Sequence, residues 1–188
     1  MKIFDQFICF FTFYSFLFPL HSDIQEVKVF WSAPLCTPSC YSLLATEFRK
    51  VPGVADVEMN GAAGQANLKW TPNASFSFHA VDAAMRMVGP RLHNIRVKVR
   101  GKIQEAQGTI KLISEGDQTE FYLLGPAGFA PGQTLTQSVY NRPLTPNIQE
   151  KLLSAKQQNL TVIIDGPLFQ PQRSPPNQLV AENISFEP

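Results

Sequence analysis

Two cysteines lie close together in "CTPSC", and their spacing is where this chain could do chemistry. Cys36 and Cys40 stand at the entrance to a helix, just before and inside its first turn. Unpaired backbone N–H groups and the helix dipole favour negative charge at such a place. Thiolates are the metal-binding form of cysteine, and soft thiolates select monovalent copper, zinc or mercury over hard cations. Two thiolates can hold monovalent copper linearly, whereas zinc calls for four ligands. The same placement permits a structural or regulatory disulfide. A third reading gives the pair no special role.

The elements that position the pair follow from hydrophobic periodicity. Val27, Val29 and Trp31 alternate with Lys28 and Phe30 as a strand. Thr37-Pro38 makes a helix start, with Thr as N-cap and Pro first in the helix. Cys40, Leu43, Leu44, Phe48 and Val51 keep helical spacing, so they are expected inward, and Pro52-Gly53 stops the helix. Val57 and Met59 mark a second strand, with Met59 read as core rather than ligand. "NGAAGQ" is a turn, and Ala66, Leu68 and Trp70 mark a third strand. A second helix buries Phe78, Val81, Ala84, Met85 and Val88, and Gly89-Pro90 ends it. Ile95, Val97 and Val99 alternate in a fourth strand.

The order β-α-β-β-α-β is the ferredoxin-like unit. In that topology the first strand runs up to the cysteine loop, and the loop after the second helix lies at the same end. Arg91 and His93 are therefore expected near the cysteines. Arg91 could offset thiolate charge, and His93 is a candidate third ligand. His79, at the start of the second helix, should lie at the far end.

With those residues in place, the stretch resembles the heavy-metal-associated domain of copper chaperones and mercury-binding proteins. Cys40, Gly53-Val54, "VEMN", "ANLKWTP" and "AVDAAMRMVG" carry the resemblance over about 70 residues. It departs in the spacing: Cys36 is one residue early, giving C-x-x-x-C. The resemblance implies a protein that binds a metal ion, monovalent copper or another soft ion, through Cys36 and Cys40.

Residues 1–22 combine Lys2 with an apolar, aromatic run from Phe7 to Leu20. The run is short for a membrane span, which needs about 20 residues, and suits the h-region of a signal peptide. Cleavage after Ser22 would remove Cys9, leave no membrane span, and place the protein in the periplasm or outside the cell. The alternative is an uncleaved N-terminal anchor.

Residues 99–188 read as three strands, a helix and two strands, the last being "QLVAENISF". That order matches an OB-like barrel. The expected architecture is α+β: a ferredoxin-like domain over 23–98, then an OB-like β-barrel over 99–188, with one strand running between them. Arg96, Lys98, Arg100 and Lys102 share a strand face, with Phe121 and Tyr122 nearby. Such a groove could hold single-stranded nucleic acid, but a formal net charge of +1 weighs against that partner. Asn73, Asn159 and Asn183 begin N-x-S/T triplets, which matter only in a glycosylating host. No Ser-His-Asp arrangement, phosphate loop or paired-carboxylate motif marks an enzyme. The preferred expectation is an exported soft-metal binder or carrier. The alternatives are an envelope adaptor or assembly module, bound to an envelope protein and held by a structural disulfide, and a thiol redox role.

Overall fold

A computed structural model describes residues 23–32, 36–126 and 142–187. The signal-peptide reading and the long loop expected around residues 125–146 fall wholly or mostly outside them. The elements are β1 (Ile24–Trp31), α1 (Pro38–Lys50), β2 (Val54–Asn60), β3 (Gln65–Trp70), α2 (Phe78–Val88) and β4 (Leu92–Ala106). Then come β5 (Thr109–Ser114), β6 (Glu120–Leu124), α3 (Pro146–Gln157), β7 (Thr161–Pro167), β8 (Asn177–Val180) and β9 (Asn183–Glu187). No helix among the described residues is long and apolar enough to cross a membrane.

The first half has the expected order. Strands β2, β3, β1 and β4 lie side by side, each pair antiparallel. Alternation explains the register: Val27 stands opposite Leu68 on one side and Val97 on the other, and all three are buried. Both helices pack over this face. Phe78, Val81, Ala84 and Met85 of α2 are buried as expected, with Val88 half-buried.

The phase of α1 differs from its sequence reading. Leu44, Ala45 and Phe48 are buried, while Leu43 is 56% exposed. An inward stripe at 41, 44, 45 and 48 keeps helical spacing, and it places Leu43 outside the edge of the stripe.

All nine strands among the described residues belong to one mostly antiparallel sheet, so the fold is α+β. The second half does not form the expected closed barrel. Its strands extend the first sheet through β4, and the boundary expected at residues 98/99 falls inside that strand. β1 and then β5 pair along one edge of β4, and β7 pairs along the other: Gly101 is opposite both Ser114 and Val162. A single bridge, Leu168 to Leu179, links the end of β7 to β8.

"QLVAENISF" is two strands rather than one. β8 runs parallel to β6, and β9 turns away to pair antiparallel with β7. The crossing passes over Gly166, where an added Cβ would overlap the Val180 carbonyl oxygen.

The halves share one core. Phe76, ahead of α2, packs between Trp70 (ring centroids 5.5 Å apart) and Phe121 of β6 (6.1 Å). The Phe76 N–H donates to the Asp117 carboxylate at 3.3 Å. Asp117 also accepts from the Ser114 and Thr119 hydroxyls, which fixes the β5–β6 turn against the first half.

Candidate metal and redox site

Strand β1 delivers the chain to the site with Trp31 buried at its end. Pro34 and Leu35 lie outside the described residues. Thr37 takes the N-cap position of α1 and Pro38 opens the helix, as expected. The Thr37 side chain caps no backbone N–H; its hydroxyl lies 2.9 Å from Ser39 Oγ. The first-turn N–H groups are therefore not claimed by the cap side chain.

Cys36 and Cys40 are joined as a disulfide, with Cα atoms 5.4 Å apart. Cys36 is only 5% exposed, whereas Cys40 is half-buried. Among the three readings of the pair, this geometry is the bonded one.

Two other loops meet this end of the first half. The Tyr41 ring lies against Gly61 in the β2–β3 turn, where any side chain on Gly61 would collide with the ring. Gly89 closes α2 at a φ of +116°, and its N–H donates to the Met85 carbonyl at 3.0 Å. That turn brings Gly89, Pro90 and Arg91 beside Cys40. With Ser32, Thr37 and Val88 they line a groove of about 470 Å³.

Arg91 thus shares a groove with Cys40. His93 is exposed near the start of β4 and is not among the residues lining the groove. His79 begins α2, some 15 Å along the helix from Gly89. Its Nε2 lies 3.0 Å from the Ser174 carbonyl oxygen of the second half. Met59 packs against the core, as read. Among the described residues no group of three or more His, Cys, Asp or Glu could hold a metal ion.

No family model matches the sequence, and no curated protein does. A solved structure with partial likeness is that of the water-soluble region of the P-type ATPase CopA from Bacillus subtilis. It is 20% identical, with a TM-score of 0.33, and the match spans 46% of this chain and 54% of that one. A likeness at that level assigns no family.

Two apolar side chains on the elements that line the groove are exposed: Leu43, expected inward, and Met87, to which the sequence reading gave no role. Leu43 lies one turn beyond Cys40, and Met87, 78% exposed, precedes Val88. A signal was present: residues 33–46 contain no charged side chain, nor do residues 61–66 or 87–90.

Three of the four basic residues on this face of β4, Arg96, Arg100 and Lys102, have acidic partners. Arg96 bonds Glu182 at 2.6 Å and Asp165 at 3.3 Å. Burial opposes the charge on Arg96, but these carboxylates outweigh it and hold the guanidinium above its ordinary pKa. Arg100 bonds Glu115 at 2.9 Å and Glu187 at 3.1 Å, with Asp23 at 3.9 Å. Lys102 donates to the Asn159 carbonyl at 2.6 Å. Phe121 is fully buried, and Lys111 lies over the Tyr122 ring at 4.6 Å. Arg96, Arg100 and Lys102 are thus tied to neighbouring groups, and Phe121 is closed to stacking.

Proposed function

We propose that this protein is an exported carrier of a soft metal ion, monovalent copper foremost, and that Cys36 and Cys40 are its ligands. The observation that carries the reading is the placement of both sulfurs within bonding reach at the start of α1, beside a groove lined by Arg91. The disulfide is the resting form. Two electrons and two protons from a dithiol convert it to two thiols, and a monovalent copper ion then displaces both protons. Arg91 offsets the negative charge of the resulting two-thiolate complex. The role is binding and delivery rather than catalysis. Export rests on the signal-peptide pattern of residues 1–22, which would put the mature N-terminus near Asp23.

Chelator-competition titration of the reduced protein with monovalent copper tests the reading. About one ion per chain should bind. Cys36→Ser and Cys40→Ser should each weaken binding severely, His93→Ala should matter little, and His79→Ala not at all. Full reduction without copper uptake would overturn it.

A second reading has its own support. Cys36 is buried and bonded, and β4 unites both halves in one sheet, as suits an envelope adaptor with a structural staple. A disulfide that resists mild reduction in the native protein would favour that reading.

A further inference from the structure

We propose that the disulfide is opened by a partner protein's dithiol that attacks Cys40, never Cys36, so that Cys40 carries the transient mixed disulfide. This rests on the reading above only in requiring that the bond be reduced in service.

Access decides which sulfur is attacked. An incoming thiolate must approach along the S–S axis, from the side opposite the leaving sulfur. Cys40 is half-buried and lines the open groove with Gly89, Pro90 and Arg91, while Cys36 is 5% exposed and lines no part of it. Cys40 is therefore the sulfur open to the groove, whereas Cys36 belongs to the buried core.

The surroundings fit the same direction of attack. Arg91 is a cation on the groove wall that attracts an anionic thiolate. Cys36 precedes the first helical turn, whose N–H groups favour negative charge on a departing sulfur. Leu43 and Met87 present apolar surface at this end, and the uncharged run 33–46 sets up no charge repulsion against an apolar partner loop.

The steps balance. The partner's first thiol gives its proton to solvent, and its thiolate bonds to Cys40 Sγ. The Cys36–Cys40 bond breaks, and Cys36 Sγ leaves with the electron pair. The partner's second thiolate then attacks its own sulfur in the mixed disulfide and releases Cys40 as a thiolate. This chain gains two electrons, and the partner becomes a disulfide.

The test uses oxidised full-length protein and a thioredoxin-type dithiol protein whose second cysteine is replaced by serine, so that the adduct is trapped. After acid quenching and alkylation of free thiols, tandem mass spectrometry locates the adduct. The expected result is the partner on Cys40 and the alkyl group on Cys36, by at least tenfold. An adduct on Cys36, or an even distribution, overturns the proposal. So does the absence of any adduct when a small phosphine reduces the same bond. Arg91→Glu should slow trapping several-fold without moving the unfolding midpoint, and Arg91→Lys should restore it; an unchanged rate in Arg91→Glu removes Arg91 from the proposal. Copper uptake is measured separately after phosphine reduction, so failure of the metal reading leaves a different signature.

Discussion

Reducing the Cys36–Cys40 bond should weaken the fold measurably without dissolving it. The two cysteines are four residues apart in sequence, so the bond closes a loop of about five residues. For a loop of that size the chain-entropy relation gives about 7 cal/mol/K, or ~2 kcal/mol at 25 °C. Against this stands a continuous core running from Ile24 through Phe48, Phe78 and Phe121 to Leu179, of which Cys36 is one member. At about 2–4 °C per kcal/mol for a chain of this size, the melting midpoint should fall by roughly 4–8 °C. Thermal unfolding of oxidised and phosphine-reduced protein, followed by far-ultraviolet circular dichroism, measures the difference. One cooperative transition should persist in both samples. Loss of that transition on reduction would refute the reasoning, because a fold that cannot survive with free thiols cannot present them to a metal.

Three further outcomes follow from the packing. Leu44→Ala should cost about 2–5 kcal/mol, as for other buried leucines, and Leu43→Ala less than about 0.5 kcal/mol; equal costs in urea titration would contradict the phase of α1. Gly166→Ala forces a methyl group against the Val180 carbonyl where β8 crosses to β9. It should destabilise by about 1–3 kcal/mol or more, and a neutral effect on the urea midpoint would contradict that close approach. Burial raises the Asp23 carboxyl above its ordinary value; the Gly116 N–H opposes this, Glu115 reinforces it, Arg100 opposes it and Asp117 reinforces it. The folded state therefore holds this proton more tightly than the unfolded chain, so Asp23 contributes stability below its unfolded pKa that is lost as pH rises through the raised one. Melting midpoints between pH 3.5 and pH 7, on the order of the carboxylate range, should fall with rising pH more in the wild type than in Asp23→Asn, and the opposite slope would refute the assignment.

The first half was legible because its strands alternate cleanly and its helices carry their own stop signals. Val27, Val29, Leu68 and Val97 are buried where a period of two puts them. The turn at Gly89-Pro90 puts Arg91 in the groove that Cys40 also lines. The phase of α1 was harder to read, since Cys40, Leu43, Leu44 and Phe48 satisfy helical spacing as well as the observed stripe does; Tyr41 against Gly61 helps set the register, and that contact is tertiary. His93 was placed by its loop position, but its place in β4 leaves it off the groove wall. In the second half the order of strands and helix could be read, and so could the strand shared with the first half, but not the single sheet that the other strands build on it. That sheet comes from both edges of β4 being paired along residues 96–101. The break between β8 and β9 has no proline or glycine to announce it; it is imposed by the crossing over Gly166, far away in sequence.

Native mass spectrometry of the mature protein with monovalent copper tests the central claim most directly, because it counts metal ions and protons together. The oxidised protein should keep its mass. The phosphine-reduced protein should first gain two hydrogens, then take up one copper ion and lose both. Copper on the oxidised protein, or none on the reduced one, would contradict a metal site made of the Cys36 and Cys40 thiolates.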